Sequence, residues 1–147
     1  MADVTTALLN GVSPSTIGTF YSRGFSTRDL RDISFFLLMP STTGSVSTLD
    51  ISIEEFDTID ANGDPVDAHR IRTVSLTNPS GTIVTAFTQV VAGTSSPNAT
   101  LQQKLNSKDN NLNKFIRVKY VVAGTATHFT NISVVMAANQ KVLISLI

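Results

Sequence analysis

The residues best suited to chemistry crowd into one short stretch. Asp57, Asp60, Asn62, Asp64 and Asp67 bring carboxylate and amide oxygens together in DTIDANGDPVD, and clustered oxygens are what a hard cation such as calcium takes. The spacing does not fit a calcium-binding helix–loop–helix. With Gly63 in the sixth place of the loop, the first falls on Thr58 and the twelfth on His69, where a carboxylate is required. A solvated turn at Asn62-Gly63, stopped by Pro65, accounts for the same residues.

Other chemistry has less to draw on. There is no cysteine, so disulfides, thiolate nucleophiles and thiolate metal sites are all excluded. His69 and His128 are the only histidines, and they stand far apart in the chain without metal-ligand spacing. No G-x-S-x-G elbow and no phosphate-cradling G-x-x-x-x-G-K occurs. Glu54 and Glu55 cannot converge on one site, since neighbours on a strand face opposite ways. No catalytic residue, cofactor or metal ligand is assigned, and the expectation is a protein that is not an enzyme.

What remains is contact chemistry. Arg70 and Arg72, with Arg117 and Lys119, can form a small basic face across two strands. That face serves either to discourage edge pairing or to meet an acidic patch on a partner protein. Phe20, Tyr21 and Phe25 are too apolar for a solvated tail. These seven residues are the candidate partner contacts.

The elements that position them read as strands. Over residues 115–122, Ile116, Val118, Tyr120 and Val122 fall on one face, and Phe115, Arg117, Lys119 and Val121 on the other. That is the period of a strand with one buried face. Gly124 breaks the pattern, and Phe129, Ile132, Val134 and Met136 follow as core candidates of a second strand. The odd step from Phe129 to Ile132 calls for a bulge or a strand start at Thr130. The whole of 115–138 is expected to be a hairpin. Residues 33–39 (ISFFLLM) are a continuous apolar run of strand length, ended by Pro40. Residues 49–56 alternate, with Leu49, Ile51 and Ile53 against Asp50, Ser52 and Glu54. Residues 69–76 and 82–92 are further strands on either side of the turn Asn78-Pro79-Ser80-Gly81. Residues 101–113 are polar and the one segment suited to a short helix, with Leu101, Leu105 and Leu112 as anchors. Residues 141–147 (KVLISLI) make a last strand.

This pattern predicts an all-β jelly roll or β-sandwich of about eight antiparallel strands with an extended N-terminal arm. Residues 1–31 are that arm, or a first strand, and residues 32–147 are a single β-sandwich domain. Parallel βαβ architecture is excluded for want of crossover helices. Eleven basic residues balance eleven acidic ones, which argues against a nucleic-acid partner. Only 15% of residues are charged, a surface poorly defended against association. No stretch approaches the roughly 20 apolar residues that span a bilayer, and MADVTTALLNGV lacks the basic start of a signal peptide.

The C-terminal two thirds resembles the small capsid cement (decoration) proteins of tailed bacteriophages, in particular the family typified by a Bordetella-phage cement protein. The residues that carry the resemblance are Arg117, Val118, Tyr120, Val121, Gly124 and Thr125, then Phe129 and the run 132–136, together with the strand LDISIEEFDT and its acidic loop. The longer aromatic N-terminal segment and the extra strand 141–147 depart from that family. The resemblance implies a virion protein, made in the host bacterial cytoplasm and carried on the capsid surface. It would be a homotrimer binding the major capsid protein between capsomers, without nucleic acid, membrane or small-molecule substrate. Two other readings are a jelly-roll carbohydrate-binding module, with the acidic loop holding a structural calcium, and a phage tail-tube or head–tail connector protein.

Overall fold

The alternation from Phe115 onward lies at the middle of one of two packed sheets. Strand β11 (Phe115–Gly124) buries Ile116, Val118, Tyr120 and Val122 and turns the residues between them outward. It runs antiparallel between β5 (Ser47–Phe56) on one side and β2 (Gly18–Tyr21) with β3 (Phe25–Ser26) on the other. The computed structural model describes residues 3–14, 16–39, 47–67, 70–78, 81–91, 101–107, 114–124, 129 and 131–140. The expected strand 141–147, the loop 93–100, Leu112, His69 and His128 lie outside them.

The facing sheet is built on β4 (Leu30–Met39) and β12 (Ile132–Gln140), which pair with each other. Strand β1 (Asp3–Val12) adds to β12, and β10 (Leu101–Ser107) to β4. With β9 (Phe87–Val91) beside β5, the main strands β1, β2, β4, β5, β9, β10, β11 and β12 stand in the order β1-β12-β4-β10 in the first sheet and β2-β11-β5-β9 in the second. Counted one to eight, that is 1-8-3-6 against 2-7-4-5, the double Greek key of a jelly roll. Between the sheets lie Ile33, Phe35, Leu37, Leu49, Ile51, Ile53, Val118, Val134 and Met136.

Several expectations change. Residues 115–138 are not a hairpin: β11 and β12 belong to different sheets, each burying its own face in the common core. The odd step between Phe129 and Ile132 arises because Asn131 takes φ +54° just before β12 begins, while Phe129 is buried in the connection. Residues 101–107 are strand, not helix. Leu101 and Leu105 are four apart, which suits one face of either element, and pairing with both β4 and β7 (Leu76–Thr77) decides it.

The single strand expected over 69–76 is two short ones. β6 (Arg72–Thr73) pairs with β5 in the second sheet, and β7 crosses to the first. Val74 makes the crossing, buried and donating its N–H to the Ile53 carbonyl at 2.8 Å. The strand expected over 82–92 is likewise split into β8 (Ile83–Val84), paired with β7, and β9 (Phe87–Val91), back beside β5.

The N-terminal segment is strand and not an arm. β1 is in register with β12 from Asp3 opposite Asn139 to Val12 opposite Ile132. A bulge between Ala7 and Leu9 turns two successive leucines, Leu8 and Leu9, into the core. A truncation of residues 1–25 removes β1, β2 and this packing together.

Tyr120 links the core to a measurable pH dependence. Its ring stacks on Phe20 at 5.3 Å between centroids, and burial raises its phenol pKa above the ordinary 10.0. The native state thus holds a proton that the unfolded chain gives up. Its contribution to stability is full below pH 10 and is lost as pH rises through the folded value. Urea midpoints will fall above about pH 10 in the wild type and fall less in Tyr120→Phe.

Candidate functional site

The outward face of the second sheet gathers three of the seven candidate contact residues. The register places Lys119 opposite Tyr21 and Arg117 opposite Glu54. Arg117 therefore leaves solvent for a cross-strand partner. Its Nε donates to Glu54 Oε1 at 2.8 Å, and each side chain is only 11% exposed. The guanidinium lies 3.8 Å from the centre of the Tyr21 ring and 6.0 Å from that of Phe56. A planar cation suits this slot, since its faces meet aromatic rings while its edge meets a carboxylate. Phe56 stacks on Phe115 beneath it at 6.1 Å. Tyr21 remains 47% exposed, the open end of the cluster.

A seam between β2 and β3 shapes this end of the sheet. Ser22 donates its N–H to the Val118 carbonyl, and its Oγ accepts from the Val118 N–H, both at 2.8 Å. Beyond it Gly24 donates to the Gly63 carbonyl at 2.8 Å, tying the acidic loop to the sheet. A Cβ on Gly24 would stand 2.6 Å from that carbonyl oxygen and 3.2 Å from the Phe56 ring. The position therefore needs glycine for close approach, not for an unusual φ.

Within the acidic loop the turn is held by its own aspartate. Asp60 Oδ1 accepts from the N–H groups of Asn62 at 2.8 Å and Asp64 at 3.0 Å. Ile59 and Pro65 bridge its base. The Asp60 carboxylate is thus turned onto backbone amides, as a turn aspartate usually is. Among the described residues no three His, Cys, Asp or Glu side chains group as a metal would need. Ile59 lies against Gly24, and both Ile59 and Val66 are exposed.

The remaining candidates are dispersed, and the four-residue basic face does not form. Phe20 and Phe25 fall in register with Tyr120 and Ile116 and pack against the core; Phe25 also carries the Arg23 guanidinium 4.9 Å from its ring centre. Arg72 is in register with Glu55, one residue out of phase with Glu54 and Arg117, so it belongs to the other face of the sheet. Arg70 lies 3.9 Å from Asp57 across an exposed ion pair, worth up to about 1 kcal/mol. Sequence reasoning missed Glu54 and Phe56 as partners of Arg117. Its signal was Arg117 and Glu54 each in the polar phase of an alternating strand, and only the pairing register joins them.

No family model and no curated protein matches this sequence. Among solved structures, the fold is similar to that in the crystal structure of the SPBc2 prophage-derived protein YomS. The TM-score is 0.52 at 12% identity, over 93% of this chain and 92% of that one. At that identity the likeness is one of fold.

Two outcomes follow from this geometry. Removing one partner of a shielded ion pair strands the other, so Arg117→Met or Glu54→Leu alone will cost about 3 kcal/mol in urea unfolding, and the double variant will cost less than the sum. Gly24→Ala will cost about 1–3 kcal/mol, because the Gly63 carbonyl must move.

Proposed function

We propose that this chain is a structural protein of a tailed-bacteriophage particle, and that its role is that of a capsid cement protein. In this reading it works without catalysis, as a homotrimer on the outside of the mature head, between capsomers of the major capsid protein. The observation that carries it is the likeness of fold, along nearly the whole of both chains, to a prophage-derived protein. The jelly-roll strand order, an architecture also used by viral capsid proteins, supports it. So does a neutral chain with few charges, suited to standing in an assembly.

The outward face of the second sheet offers the contact. Tyr21 and Lys119, opposite each other in the register, form a partly apolar surface beside the shielded Arg117. Tyr and Arg are the residue types that dominate binding energy at interfaces. A shell held from outside gains stability by mass action, because the cement binds only where neighbouring capsomers are correctly placed. Three linked copies add avidity.

Light scattering on the purified protein tests the assembly state. A mass three times the 15.7 kDa of one chain is expected, and rings of six would favour the tail-tube or connector reading. Binding to expanded shells that lack the protein tests the role itself. Tyr21→Ala is expected to weaken that binding at least about tenfold while leaving the fold intact. A protein that ignores such shells would overturn the cement reading.

A further inference from the structure

The run 33–39 is apolar throughout, yet along β4 burial alternates. Phe35 and Leu37 point into the core, while Phe36 and Leu38 are 37% and 40% exposed on the outer face of the first sheet. Beside Phe36 that face is hollowed into a groove of about 250 Å³, lined by Thr5, Asp32, Ser34, Phe36, Ala137 and Asn139. Its floor is one row of small residues in register, Thr5 opposite Ala137 opposite Ser34. The next row on one side carries Phe36 opposite Val135. On the other side stand Asp32 and Asn139, with the Asn139 amide Nδ2 donating to Asp32 Oδ2 at 3.2 Å.

The backbone is bent to make this arrangement. Between Ser34 opposite Ala137 and Arg31 opposite Asn139, β4 advances three residues while β12 advances two. Asp32 takes φ +52° within that bulge. Bulges of this kind re-aim side chains, and non-glycine residues in the left-handed region concentrate where a site requires them.

We infer that this groove is a binding site for one ring of a neutral sugar, a hexopyranose or N-acetylhexosamine. A pyranose has an apolar face of C–H groups and a rim of hydroxyls. The exposed Phe36 ring suits the first, and the carboxylate, amide and two hydroxyls of Asp32, Asn139, Ser34 and Thr5 suit the second. A carboxylate offers about four lone-pair sites and a hydroxyl both donates and accepts, so Asp32 and Ser34 can serve a ligand alongside their partners within the fold. Its charge disfavours uronic acids, sialic acids and phosphates. The volume falls below the roughly 300–1,000 Å³ of sites for drug-sized molecules, which suits a single ring. The inference does not rest on the particle reading. If both hold, the particle is gripped through the second sheet and the first presents the sugar site to the surroundings.

Saturation-transfer NMR of the full chain with the methyl glycosides of glucose, galactose, mannose and N-acetylglucosamine tests it. At least one should receive saturation on its ring protons, and it should shift the amides of Thr5, Ser34, Phe36 and Ala137 in the wild type. Phe36→Ala and Asp32→Asn should each weaken binding at least about tenfold; asparagine tolerates the left-handed backbone at position 32. Ile83→Ser, at the far edge of the same sheet, should leave it unchanged. Transfer to none of the four sugars, amide shifts elsewhere, or binding that survives both variants would overturn the inference. So would self-association that Phe36→Ala abolishes in the absence of any sugar binding, which would make the groove a contact between copies.

Discussion

The apolar faces of β4 and β12 meeting those of β5 and β11 are the constraint on which everything else depends. Each of these strands has one inward row of large side chains, and neither sheet can bury its row without the other. Phe35, Ile51, Val118 and Val134 are all fully shielded from solvent, and each full burial of a side chain of this size is worth about 1.5–3 kcal/mol. The outer faces are then free to differ. On the second sheet a guanidinium fills the space between rings and a carboxylate; on the first, small residues leave a hollow next to an exposed phenylalanine.

This division explains what could be read from the chain beforehand. Period-two alternation identified β5 and β11 and their inward residues, because one face of each is dry and the other wet. Fold class followed from the number of such runs. Partners did not follow, since alternation assigns a residue to a face and not to a neighbour. Ile116 to Val122 gave no hint that β5 would lie on one side and β2 on the other, nor that Arg117 would come to rest beside Glu54. The placement of β11 and β12 in different sheets is hidden for the same reason: two adjacent strands with one apolar face each can pair in one sheet or oppose each other across the core.

Short elements were legible only in part. The run around Arg72 and Val74 alternates as one strand does, but it changes sheets in the middle. A switch of sheets preserves alternation when the inward residue at the crossing, here Val74, stays inward in both. Leu8 and Leu9 hid the first strand for the opposite reason. A bulge puts consecutive residues on the same side, which breaks the period that identifies a strand. Apolarity alone makes Phe20 and Phe25 contact candidates, and packing against the core is the other use of an apolar side chain.

Strand β1 is paired with β12, the earliest with the latest among the described residues, and most neighbours in sequence lie in opposite sheets. No stretch of the chain can close a sheet from its own residues. Such topologies are dominated by distant pairings and fold slowly, because long loops must be ordered before any contact compensates. In a growing chain β1 has no partner strand until β12 follows, since Leu9 stands opposite Val134. The finished sandwich is therefore a late, all-at-once event, and both outer faces exist only on completed chains. Any assembly that recognises those faces has quality control built into its geometry, since a truncated product cannot present them.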